Sequence, residues 1–189
     1  MAVGVLAVQG AVVEHLHAIS SAGAKGVEVK TTEALESADA LIIPGGESTT
    51  ISRLISQFGL RDEIIKRAKS GMPVMGTCAG MIVLAKQGNE QVKKTGQELL
   101  GLMDTTVNRN AFGRQRESFE ATLDVKPIGS FPGVFIRAPV IEHAEDGVEV
   151  LCEFENKIVA ARQDNLLALS FHPELTSDTR MHEYFLGMI

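Results

Sequence analysis

The first half of the chain alternates short continuous apolar runs with stretches in which apolar residues recur every three or four positions. Val3 to Val8, Gly26 to Lys30, Ala38 to Ile43 and Pro73 to Gly76 read as strands. Helical patterns run from about Val12 to Ala22, closed by Gly23, and then over Thr49 to Phe58, Arg61 to Ser70 and Ala79 to Lys86. Strands with no polar face must be covered on both sides, and strands separated by helices are joined by crossovers, so this half predicts βαβ units around a parallel sheet. The second half is different. Met103 to Asn108, Phe119 to Val125, Gly133 to Arg137, Val148 to Glu155, Lys157 to Arg162 and Leu166 to Phe171 are strand-like with short connections, which predicts an antiparallel extension. A last helix is expected over about Thr176 to Met188, with Ser177 and Asp178 as N-cap candidates. The polar stretch Gln87 to Gln97 reads as a loop, and with no repeat or linker the 189 residues read as one α/β domain.

Composition narrows the function classes. There are 18 Lys and Arg against 24 Asp and Glu, a formal net charge of −6, and no basic run. A nucleic-acid or anionic-membrane binder needs a basic face, so the expected partners are small molecules or another protein. The segment Met1 to Val8 lacks a basic start and is followed by Gln9, which fits neither a signal peptide nor a membrane span. A cytoplasmic protein is expected. The two cysteines, Cys78 and Cys152, allow one bridge at most, and a chain of this size does not need it.

Three segments carry chemistry. In Gly76-Thr77-Cys78-Ala79-Gly80 the cysteine follows a strand and opens a helix, the geometry of a nucleophile elbow, where small neighbours permit a strained turn and the helix N-terminus favours the thiolate. Taken alone, the same cysteine reads equally as a small core residue. Cys152 lies on an alternating strand with no such context and is assigned to the core. In Phe171-His172-Pro173-Glu174 the residue before proline favours an extended backbone, which would turn His172 and Glu174 to one side so that the carboxylate orients the imidazole. His15, His17, His143 and His182 have no carboxylate so placed and are expected at the surface or in caps. In Pro44-Gly45-Gly46-Glu47-Ser48 a glycine turn ends a buried strand, and Ser48-Thr49-Thr50 can cap the next helix. Backbone N–H groups near Gly46 and Glu47 are then left to hold an oxyanion, with the N–H of Ala79 as a second donor.

With these motifs in this order the chain resembles the class I (triad) glutamine amidotransferases. Within them it is similar to the glutaminase subunits of pyridoxal 5′-phosphate synthase complexes. The closer likeness rests on Val8-Gln9-Gly10 with Glu14-His15, on Asn108-Arg109-Asn110-Ala111-Phe112-Gly113-Arg114-Gln115 with Ser118-Phe119-Glu120, on Phe135-Ile136-Arg137-Ala138-Pro139 and on Leu175 after the His-Pro-Glu segment. A rival amidotransferase subunit would keep the triad but lack the two arginine blocks. The resemblance implies a flavodoxin-like three-layer fold and a triad of Cys78, His172 and Glu174. It also implies glutamine contacts from Gly46, Glu47, Ser48, Arg109, Ile136 and Arg137. Without it, Arg109 and Arg137 read as solvated strand charges; with it, they suit an α-carboxylate and Glu47 suits an α-ammonium. It further implies a (β/α)₈ synthase partner that receives ammonia. The docking face is expected to include Gln9, Gly10 and the Glu14-His15 helix, because Val3 to Val8 is expected to lie beside both the glycine turn and the Cys78 strand. No cofactor or metal is implied, since no His, Cys and Asp set has ligand spacing. Ala11 stands where the family often has an acidic residue.

Overall fold

The computed structural model describes residues 1–109, 111–112 and 118–189. Asn110, Gly113, Arg114 and Gln115 of the motif above lie outside the described residues. The first half runs β1 (Ala2–Leu6), α1 (Val12–Ser21), β2 (Lys25–Val29), α2 (Thr32–Glu36), β3 (Ala40–Ile43), α3 (Ser48–Gln57), α4 (Arg61–Lys69), β4 (Val74–Thr77) and α5 (Ala79–Leu84). Then follow β5 (Ala85–Gly88), α6 (Glu90–Lys93), β6 (Met103–Asn108), β7 (Ser118–Val125), β8 (Gly129–Ile136), β9 (Val140–Ala144), β10 (Glu149–Phe154), β11 (Lys157–Gln163) and β12 (Leu166–Leu169). A 3₁₀ turn at Pro173–Leu175 and α7 (Arg180–Leu186) end the chain.

The main sheet has the order β2-β1-β3-β4-β12-β11-β9-β6-β5, with β10 on β11 and the β7–β8 hairpin separate. Strands β2 to β12 along this path are parallel, and the direction reverses at β11. The last strand read from sequence as part of the antiparallel extension therefore joins the parallel core, pairing Leu166 to Leu169 with Val74 to Thr77. Four apolar residues cannot reveal their partner strand; topology decides it. The stretch Gln87 to Gln97, expected as a loop, carries the end of β5 and the short α6, which Asn89 caps by accepting from the N–H groups of Gln91 and Val92.

Side chains alternate across the sheet as a period of two demands. Leu41, Ile43, Val74 and Ala168 pack with Ile51, Ile55, Ile64 and Leu84 of α3, α4 and α5. Ala40, Ile42, Met75, Leu167 and Leu169 pack on the other face with Ile19 of α1, Met181 and Phe185 of α7, and Phe131 and Phe135 of the hairpin. This is a three-layer α/β arrangement. Each buried aliphatic side chain is worth roughly 1.5–3 kcal/mol. A one-residue slip of β3 or β12 would send both stripes to the wrong layer. The final helix starts later than the sequence suggests, because residues 173–175 form their own turn and Thr179 is the N-cap residue, without a side-chain cap. Asp178 instead accepts from the N–H and guanidinium of Arg180. No helix among the described residues is long and apolar enough to cross a membrane.

Candidate active site

Strand β4 ends the buried run Val74–Thr77, and the chain then turns at Cys78 with φ 49° and ψ −105°. A positive φ at a residue with a Cβ is strained and persists only where its surroundings enforce it. The enforcement comes from close backbone packing. A Cβ on Gly80 would strike the Ile43 carbonyl, and one on Gly76 would strike the Gly80 carbonyl, so α5 can sit against β3 and β4 only with glycine at both positions. The Cys78 N–H donates to the Leu169 carbonyl at 2.7 Å, tying the elbow to β12, and its thiol donates to the Ile136 carbonyl at 3.6 Å. Cys78 is 7% exposed.

Because β12 lies beside β4, the chain leaves the sheet next to the elbow. Ser170 donates its hydroxyl to the Pro139 carbonyl at 2.6 Å, and the His172 N–H donates to the Val134 carbonyl at 2.8 Å. Pro173 opens the 3₁₀ turn, so the extended backbone expected through Glu174 does not form; proline's fixed φ suits the first position of a helical turn. The turn still delivers the expected contact. Glu174 Oε1 lies 2.6 Å from His172 Nδ1, while His172 Nε2 is buried without a hydrogen-bond partner. Burial alone would lower the His172 pKa. The nearby Cys78 sulfur and the Glu174 carboxylate outweigh burial and raise it well above the ordinary value. Burial likewise opposes the Glu174 carboxylate, and the groups facing it, the His172 hydrogen bond among them, overcome it and hold its pKa low. The ring of His172 rests on Gly45, where any Cβ would collide with it.

The glycine turn is built differently from the expectation. Glu47, not the Ser-Thr-Thr segment, caps α3: its carboxylate accepts from the Thr50 N–H at 2.9 Å and from both threonine hydroxyls. Partial burial would raise the Glu47 pKa, but hydrogen bonds from Thr49 and Thr50 bring it down to about 2. The other carboxylate oxygen pairs with Arg109. The Ser48 hydroxyl donates to Gln97 Oε1 at 2.9 Å. The Glu47 N–H is not left open, since it donates to Gln9 Oε1 at 2.9 Å.

A cleft of about 640 Å³, within the usual range for small-molecule sites, is lined by Cys78, Ala79, His172, Gly46, Glu47, Ser48, Arg109, Ile136 and Arg137. Glu174 stands behind His172. Arg137 is exposed and held at φ 44°, a second strained backbone at the rim. His17 and His143 are exposed as expected, but His15 and His182 are buried, at 0% and 1% exposure, and join the site from behind. A signal for both existed. His15 falls at helical spacing with Val12 and Ile19, and His182 shares the inward stripe of Met181 and Phe185. Burial also removes His15 from the expected docking edge.

Comparison with known proteins adds the family. The model of the SNO glutamine amidotransferase family matches residues 5–189. The pyridoxal 5'-phosphate synthase subunit PdxT of Methanosarcina acetivorans is 56% identical over 100% of this chain and 98% of that protein. The subunit of the same name from Archaeoglobus fulgidus is 57% identical over the same shares. A crystal structure titled as a glutamine amidotransferase is 50% identical, with a TM-score of 0.93 over 98% of this chain and 97% of that one. The PurLQS structure from Thermotoga maritima, at 16% identity and a TM-score of 0.68, shares the fold. With a family match over nearly its whole length and relatives above half identity, the chain belongs to the SNO glutamine amidotransferase family.

Proposed function

We propose that Cys78, His172 and Glu174 act as a catalytic triad that hydrolyses L-glutamine to L-glutamate and ammonia. The observation that carries this reading is the hydrogen bond between His172 and the Glu174 carboxylate at the wall of a cleft that His172 shares with Cys78. Attack by the Cys78 thiolate on the side-chain amide carbon forms a C–S bond and moves the carbonyl electrons onto oxygen. The N–H groups of Ala79 and Gly46 receive that oxyanion. When the intermediate collapses, the C–N bond breaks and the proton on His172 Nε2 leaves with nitrogen as ammonia. A water then gives its proton to His172 and attacks the thioester. The C–S bond breaks, glutamate departs and the thiolate is restored. The raised pKa of His172 suits the first half of the cycle, in which the ring must carry the proton to be donated.

The ammonia is passed to a (β/α)₈ synthase partner that builds pyridoxal 5′-phosphate; the support is that the relatives are named as subunits of a pyridoxal 5′-phosphate synthase. The chain acts as one glutaminase domain in the cytoplasm. Its central sheet takes strands from both ends of the sequence, which supports a single unit. The test is glutamate formation from free glutamine by the full chain mixed with a pyridoxal 5′-phosphate synthase subunit from the same organism. No glutamate above the partner's own background rules the reading out.

Substrate capture falls to the charged rim. Glu47, ionised and pinned by α3, meets the α-ammonium, and Arg109 and Arg137 meet the α-carboxylate. Arg109→Ala and Arg137→Ala are each expected to raise KM for glutamine by about tenfold or more, since a hydrogen bond to a charged group is worth about 1.5–3 kcal/mol. The change in kcat should be smaller. Steady-state kinetics with an unchanged KM in both variants would return the arginines to solvated charges.

A further inference from the structure

Behind the triad lies a group of buried polar side chains that the reaction as written does not use. Glu174 offers Oε1 to His172, but its Oε2 is buried with no hydrogen-bond partner at ordinary distance. On its far side His15 Nε2 reaches in from α1 to 3.5 Å. The same nitrogen lies 3.2 Å from the hydroxyl of Thr77, the residue before the nucleophile. The other ring nitrogen, Nδ1, lies 3.1 Å from His182 Nε2 on α7.

These contacts fix where the protons sit. A carboxylate oxygen only accepts, so the His15 nitrogen facing Glu174 must carry a proton. Burial lowers the pKa of His15, and burial together with His15 lowers that of His182 to about 4, so both rings are neutral and each has one N–H. His15 Nδ1 is then bare and accepts from His182 Nε2–H. The result is a directed chain, from His182 to His15 and from His15 to Thr77 and Glu174. A neutral donor restrains the carboxylate without cancelling the negative charge that His172 needs. A carboxylate gripped at one oxygen alone would turn about its Cγ–Cδ bond, and His172 would turn with it.

Resting on the triad reading above, we propose that His15 is a positioning residue. Its Nε2–H anchors the far oxygen of Glu174, keeping the near oxygen on His172 Nδ1, while His182 sets the tautomer in which His15 can do so.

The test compares two substitutions in the full chain assayed with its synthase partner. Glutamine places a side-chain N–H close to where histidine Nε2 lies; leucine fills similar space with no donor. His15→Leu is expected to lower kcat by about tenfold or more with KM within about twofold, as misplacement of a catalytic group does, and His15→Gln to recover most of the rate. Equal rates for both variants, or a rise in KM with kcat unchanged, overturns the proposal. If circular dichroism shows that His15→Leu does not fold, His182→Leu against His182→Gln decides by the same ordering, since glutamine can still donate to His15 Nδ1. Equal kcat in that pair overturns it. Cys78→Ala separates the two readings. If that variant keeps the parent rate, the triad itself fails and the positioning role with it. If it is dead while the variants at 15 are neutral, only the positioning role fails.

Discussion

Cys78→Ala and Cys78→Ser should each abolish glutamate formation, by more than about 10³-fold, while leaving the fold close to intact. The chemical half of this expectation follows from the thioester. Alanine has no nucleophile, and a serine hydroxyl is far harder to deprotonate than a thiol. The structural half follows from what the side chain does at rest. Its sulfur makes one weak hydrogen bond, at 3.6 Å to the Ile136 carbonyl, and the strained φ of 49° is equally strained for alanine or serine. The elbow is imposed by Gly76, Gly80 and the N–H bond to Leu169, none of which the substitution touches. Cys152 supplies the control. It sits on β10, in the layer of the hairpin, where burial and then the nearby Asp124 and Glu153 push its thiol up to about 11, so it stays protonated near neutral pH. Cys152→Ala should lose some stability, on the order of 1 kcal/mol for a small cavity, and little activity. Glutamate formed per folded protein is the measurement, and equal losses from the two substitutions would sink the assignment of Cys78.

What the sequence made legible was whatever local rules govern. The apolar runs of β1, β3 and β4 and the stripes of α1, α3 and α4 announce a covered parallel sheet, because burial on two faces leaves a run with no polar period. The strained cysteine between small residues was legible for the same reason: the motif is itself the local geometry. Nonlocal pairing was not. Nothing within Leu166-Leu167-Ala168-Leu169 says that this strand returns to lie parallel beside β4, yet that placement brings His172 to Cys78. Likewise β3 separates β1 from β4, although β1 still carries the Gln9 segment to the glycine turn. Capping was misread because a glutamate before Ser-Thr-Thr competes with the hydroxyls for the same N–H groups, and the carboxylate, being charged, takes them. His15 and His182 were misread because histidine on an apolar stripe is ambiguous until its partners are known. Those partners, Thr77 and Glu174, come from elements 62 and 159 residues away from His15.

Mixing the chain with the proposed synthase partner should raise glutamine turnover by about a hundredfold, the worth of one oxyanion donor. In the chain alone the glycine turn is held by its neighbour, not by a substrate. The Glu47 N–H donates to Gln9 Oε1 and the Ala11 N–H donates to the Gly45 carbonyl at 3.2 Å, so the segment Gln9 to Ala11 grips the turn from both sides. Gly10, at φ 108°, lies so close that a Cβ there would strike the Gly45 carbonyl. A peptide between two glycines reorients at little steric cost, so a partner that shifts Gln9 to Ala11 can turn the donors of Gly46 toward the cleft. The surface beside this segment suits docking: Val13 on α1 and Leu175 at the cleft are large apolar side chains at 57% and 43% exposure, with the exposed Glu14 next to them. Such coupling would prevent free ammonia from being made where no acceptor waits. The measurement is glutamate release by the chain alone and in the saturated complex, at matched concentrations of folded protein. If the isolated chain turns over at the rate of the mixture, the glycine turn is already competent and the gate does not exist, while the roles of Cys78, His172 and Glu174 would stand.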